Sequence, residues 1–236
     1  MSNNKTERDK LLSWFIKGTF FKKDFPKDGR NSTCELNIKC KDDVLLAVEK
    51  AYIDMTPRTF KSKDKNKKTD IDQEEKMKVL SALAKNIFNY INNNQKYDDF
   101  DKWHNNICVE FINNFNKVLE KANREQAKYG KAQKIVNMTF KYLYCFDDAD
   151  EYHELFKKCH MAIDSYILSW YNKNVTPEGN KITKSWSNLE YDEYSNEYIE
   201  IQDNIKNYLK NNNEYSEFPF FAEFTIWQEE KAAVIN

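Results

Sequence analysis

The residues best placed to do chemistry lie in two stretches, 129–143 and 157–168. The first, YGKAQKIVNMTFKYL, sets Lys131, Lys134, Asn137 and Lys141 at helical spacing, opposite a face of Ala132, Ile135, Val136, Thr139, Phe140 and Leu143. Lysines with few acids among them form a strip suited to contacting nucleic-acid phosphate; the plainer outcome is a solvated helix face. Gly130 stands near the helix start, where backbone without a Cβ can come close to a phosphate. The second stretch carries His160 and Asp164, four positions apart. On a helix the two share a face, and the carboxylate orients the imidazole and favours its protonated form. That arrangement serves acid–base catalysis, and it also simply satisfies a buried histidine.

Taken together, the two stretches resemble the helix-hairpin-helix DNA glycosylases. Gly130, Lys134 and Asn137 correspond to that family's phosphate-binding glycine hairpin and the lysine-bearing helix after it. Ala162-Ile163-Asp164-Ser165-Tyr166-Ile167 corresponds to its apolar element carrying an aspartate. The resemblance implies that Asp164 stabilises an oxocarbenium-like sugar or activates water, and that Lys134 is the Schiff-base nucleophile. It spans about 40 residues. The hairpin is represented by Gly130 alone, and an acidic stretch lengthens the link from Lys134 to Asp164. The segments YGKAQKIVNMTFKYLY, CHMAIDSYIL and FFAEFTIWQEE also resemble uncharacterised bacterial and phage proteins.

Other constellations are sparser. Asp54, Arg58 and Thr59 form either a site corner or a helix end, and Arg58 joins the expected nucleic-acid contacts. Glu223 sits among Phe220, Phe221, Phe224 and Trp227, so it must face solvent or find a partner, for which Lys134 and Arg58 are candidates. The acidic run Asp147, Asp148, Asp150, Glu151 and Glu154 is either a solvated loop or a mimic of phosphates for a protein partner. No two of the five cysteines are spaced C-x-x-C, and there are three histidines, so no metal site and no cofactor is expected. Phosphate-loop, dinucleotide and zinc-protease motifs are missing as well.

The elements that must position these residues read as helices. Gly and Pro number four each in 236 residues, too few for a fold built on many hairpins. Apolar periodicity predicts helices over about 9–21, 42–55, 72–91, 100–124, 126–145, 152–171, 191–208 and 217–233. Asp72 and Glu75 begin the third in the manner of a capping box, and Pro57 ends the second. The segment 217–227 is aromatic enough to be a strand instead. The expectation is an all-α fold, one globular domain over 1–236 with about seven or eight helices and a mobile charged loop at about 58–72.

Composition narrows the function classes. Lys+Arg and Asp+Glu number 37 and 38, so the chain is no bulk polycation, although a local basic face is compatible with that balance. The longest apolar runs are far too short to span a bilayer and the first ten residues are polar, which predicts a cytoplasmic protein with no membrane partner. The preference for lysine and asparagine fits an AT-rich coding genome, as in a low-GC bacterium or its phage. The leading expectation is a protein acting on nucleic acid, DNA rather than RNA, as a base-excision enzyme in phage–host conflict. The alternative is a non-catalytic defence component, or an inhibitor of a defence nuclease, that binds a host or phage protein.

Overall fold

Helix 129–143 is flanked by aliphatic and aromatic residues on more than one side, and the computed structural model shows why. The structure describes residues 35–55, 60–64, 70–93, 97–176, 180–191 and 197–235. Among them are α1 (Lys41–Asp54), α2 (Gln73–Asn93), α3 (Phe100–Lys121), α4 (Tyr129–Leu143), α5 (His153–Lys158), α6 (Ser165–Asn174), α7 (Glu197–Lys210) and α8 (Pro219–Ile235). Short 3-10 turns occupy Ala149–Tyr152 and Trp186–Asn188. The fold is all-α, and the described residues form no sheet. Their helices include none long and apolar enough to cross a membrane. The expected helix at 9–21 and Arg58 lie outside the described residues.

α4 is the central helix. α1 lies along one side of it, α3 along another, and the Trp186–Asn188 turn crosses its N-terminal end. Residues on every face of α4 are buried, the amphipathic expectation notwithstanding. One apolar cluster runs from Leu36 and Ile38 through α1–α4 to Ile226 in α8. Burial of this kind contributes about 25 cal/mol per Å² of apolar surface and is the main stabilising term.

Gly130 has a packing role instead of the anticipated phosphate approach. A Cβ there would stand 1.9 Å from the backbone oxygen of Trp186. Its N–H donates to the Leu189 carbonyl at 3.0 Å. The helix start is thus covered by the chain's own turn.

Caps follow the sequence in part. Asp72 Oδ1 accepts from the backbone N–H groups of Glu74 and Glu75, at 2.8 and 3.0 Å, and starts α2. The alternative strand at 217–227 is helix α8. Part of the stretch expected to be a mobile loop is anchored. Phe60 is buried, and Lys61 and Lys63 exchange backbone bonds with Glu125 and Asn123.

The largest departure concerns 152–171, expected as one helix. It is a 3-10 turn, then α5, then an extended stretch over 159–164, then α6. Side chains take the place of a neighbouring strand for that stretch. Gln202 accepts from Met161 N–H at 3.2 Å and donates to its carbonyl at 2.7 Å. Gln133 does the same for Ile163, at 3.2 and 2.7 Å. Glu223 accepts from Ala162 N–H at 2.8 Å. Buried backbone polar groups must be paired, and here two carboxamides and a carboxylate pair them.

Candidate functional site

The extended stretch delivers Asp164 to the N-cap of α6. Its Oδ1 accepts from Tyr166 and Ile167 N–H at 3.0 and 3.1 Å, closing the helix end. Its Oδ2 receives Lys134 Nζ of α4 at 2.8 Å and the Trp227 indole N–H of α8 at 3.1 Å. The two residues singled out thirty positions apart therefore meet. Lys134 is 7% exposed, so the pair stands in a largely desolvated wall. Burial by itself would raise the Asp164 pKa; the Lys134 charge and the donated hydrogen bonds outweigh it and hold the carboxyl below its ordinary value.

That wall borders a cleft of about 910 Å³. Helix α1 contributes Lys50, Ile53 and Asp54; α4 contributes Met138, Lys141 and Tyr142 besides Lys134; Trp186, Phe224 and Trp227 give aromatic surface. Two further ionic clusters line it. Lys50 Nζ meets Asp54 at 2.9 Å, and the Tyr142 hydroxyl donates to the same carboxylate. Burial, followed by that bond to Asp54, pushes the Tyr142 phenol up. Lys141 Nζ reaches Glu223 at 2.8 Å, and Glu223 is fully buried. The partner of Glu223 is thus Lys141, where Lys134 or Arg58 was expected.

A hollow of about 720 Å³ lies elsewhere, beside α6 and α7, among Tyr171, Asn204, Asn207 and Tyr208. Its acids are Glu197 and Glu200, the first already held by Lys184. It brings no buried ion pair to an aromatic wall, so the cleft at Asp164 is the better candidate.

The remaining expected residues divide. Lys141 belongs to the cleft. Lys131 does not line it: its ammonium rests 4.8 Å from the Phe60 ring centre and 5.6 Å from that of Trp186, and burial lowers its pKa. Asn137 is fully inside. Its Oδ1 accepts from His104 Nε2 at 2.9 Å, and its amide nitrogen donates to the Tyr198 hydroxyl at 2.8 Å. The lysine–asparagine strip is therefore an internal polar seam and not one solvent-facing surface.

The His160–Asp164 pairing is corrected by the break in the helix. His160 Nε2 meets Asp101 at 2.7 Å, Nδ1 meets the Tyr198 hydroxyl at 3.0 Å, and the ring centre lies 4.5 Å from that of His104. Lys206 closes on the same Asp101 carboxylate at 3.0 Å. Desolvation lowers the pKa of both histidines, well below the ordinary value at His104. They form a core network beside α3 and α7, away from the cleft.

Sequence reasoning missed Trp227 as a hydrogen-bond donor to Asp164, Tyr142 with Lys50 at Asp54, and Gln133 as the support behind them. Only the Lys50–Asp54 spacing of four gave a local signal. Among the described residues no group of three or more His, Cys, Asp or Glu side chains is placed to hold a metal ion.

Chemically, the site offers a carboxylate kept ionised at the edge of an aromatic hollow, with an ammonium beside it. Such a carboxylate stabilises positive charge that develops in a bound molecule, and the aromatic faces hold a flat ring. No family model matches the chain, and the searches of curated proteins and of solved structures find no match.

Proposed function

We propose that the cleft receives one unpaired base of a nucleic-acid strand, DNA in the first instance, and that Asp164 promotes breakage of the bond between base and sugar. The observation that carries this reading is the Lys134–Asp164 ion pair set in the wall of a cleft lined by Trp186, Phe224 and Trp227. In that reaction the C1′–N bond breaks, its electrons leave with the base, and positive charge builds on the sugar. Water then adds at C1′ and its proton is lost to solvent. An ionised Asp164 lowers the energy of the charged sugar in a site of low effective dielectric.

Both Asp164 oxygens already accept hydrogen bonds, which favours this electrostatic role over proton abstraction. The Lys134 Nζ is engaged with the Asp164 carboxylate at 2.8 Å, which favours hydrolysis over Schiff-base formation. Borohydride treatment during turnover is therefore expected to trap no covalent protein–DNA adduct, as denaturing electrophoresis would show.

The acidic run of the protein-binding alternative is in part engaged within the chain. Asp147 accepts from Leu36 N–H at 2.9 Å, and Asp148 accepts from Ile38 and Lys39 N–H at 2.7 and 3.2 Å. Those two acids bind the chain's own 35–39 segment. The test of the catalytic reading is base release from single-stranded and duplex DNA carrying damaged or modified bases. Asp164→Asn is expected to lower release about 100-fold or more, because a directed electrostatic contact is worth that much. Asparagine keeps the α6 cap but leaves the buried Lys134 charge unpaired, so the variant is expected to melt lower than wild type and its release is measured below its own melting temperature. A wild-type protein that releases no base would overturn the reading.

A further inference from the structure

From the end of the cleft outward, α8 carries a regular ladder. Phe221, Phe224 and Trp227 recur every three residues in a row that winds around the helix, Phe218 continues the row one residue before α8 begins, and each ring has a basic side chain on it. Lys157 Nζ is 5.6 Å from the Phe218 ring centre, and the His153 imidazole stacks on Phe221 at 5.5 Å and 23°. Lys141 lies 5.1 Å from Phe224 and Lys231 lies 4.7 Å from Trp227. The rings are not core residues sealed from solvent; Phe224 is 37% exposed, and it touches Tyr144, which is 38% exposed. Trp227 is both the last rung and part of the cleft wall.

We infer that this ladder is a track for a single-stranded nucleic acid, whose bases stack on the α8 rings while its phosphates take the lysines. Three residues of helix rise about 4.5 Å, so the three rungs within α8 extend over about 9 Å of its axis, and a strand that follows them winds with the row. Aromatic faces alternating with flexible cations are the chemistry that holds unpaired strands without regard to sequence. A duplex hides its base faces and would find only the lysines. Lysines resting on ring faces are exchangeable covers: an arriving base takes the ring, and the ammonium swings to its phosphate. Lys157 is held by Glu154 at 2.6 Å and Lys141 by Glu223 at 2.8 Å, so phosphate must compete with those acids. Binding along the ladder rests on the cleft reading and deepens it by naming its substrate as unpaired strand; Phe224, Trp227 and Lys141 belong to both, while Phe218, Phe221, His153 and Lys157 belong to the ladder alone.

The test is fluorescence anisotropy of the full chain with a labelled oligothymidylate, with the same length of duplex, and with polyglutamate as competitor. The strand is expected to bind more tightly than the duplex and to weaken with added salt. Phe218→Ala and Lys157→Ala, both outside the cleft lining, should each weaken strand binding about fivefold or more while thermal melting stays close to wild type. Equal affinity for duplex, unchanged binding by both variants, or displacement of the strand by polyglutamate at equal chain concentration would overturn the proposal, the last in favour of an acidic protein partner. Strand binding without base release would remove the catalytic reading alone. Base release by a protein whose Phe218→Ala and Lys157→Ala variants bind strand as wild type would remove the ladder alone.

Discussion

Lys134 and Asp164 show what a single contact can and cannot decide. Removing one member of a buried ion pair costs about 3–5 kcal/mol, because the other charge stays behind without its partner. The Asp164 carboxyl is held below its unfolded value, so its stabilising contribution is complete above about pH 4 and is lost as pH falls through the folded-state value. The two buried histidines act in a higher window. Their folded-state pKa values are depressed, so the unfolded chain takes up protons first. Stability is therefore full above about pH 6.5 and declines as pH falls below it. Thermal melting across pH 5–8 should show that decline, and His104→Gln, which keeps a donor toward Asn137, should flatten it; a profile unchanged by this variant would contradict the assignment. Gly130 gives a second residue-scale expectation. In an open helix Gly→Ala gains about 1 kcal/mol. Here the added methyl meets a backbone oxygen, a strain of about 1–3 kcal/mol, so Gly130→Ala should lower the melting temperature.

At the scale of elements, the extended stretch 159–164 is the piece on which the site depends. Its sequence, CHMAID, contains neither glycine nor proline, and its neighbours have helical periodicity, so local reading continues the helix. What breaks it lies far away in the chain: Gln133, Gln202 and Glu223 supply the partners that a helix would have supplied internally. The same device recurs. Asn116 holds the backbone of Ala127 through both its amide atoms, and Asn172 holds Ile182 likewise. The abundance of asparagine that reads as codon usage is thus, at these positions, the means by which irregular backbone is satisfied. Gln133→Leu leaves the Ile163 amide and carbonyl without those bonds, at about 1–3 kcal/mol for each buried group. Hydrogen exchange should then quicken across 159–167 more than in α2, and base release should fall with it.

For the whole molecule, the all-helical class was legible because scarce glycine and proline and a strong 3.6-residue period agree. The meeting of Lys134 with Asp164 was legible only as a pairing, since the cleft beside them needs α1 and α8, which contribute Asp54, Phe224 and Trp227 from opposite ends of the described chain. Facing positions on one helix did not reveal that α4 is enclosed, because enclosure depends on neighbours that periodicity cannot see. The architecture as a whole brings an ionised acid, an ammonium and aromatic walls to one opening, and the α8 ladder leads to it. The most direct test is the release of free base from modified single-stranded DNA, measured for the wild type and for Asp164→Asn in parallel. The account predicts release by the wild type and a loss of about 100-fold or more in a variant that still melts cooperatively. Equal release by both proteins, or none by the wild type, would contradict it.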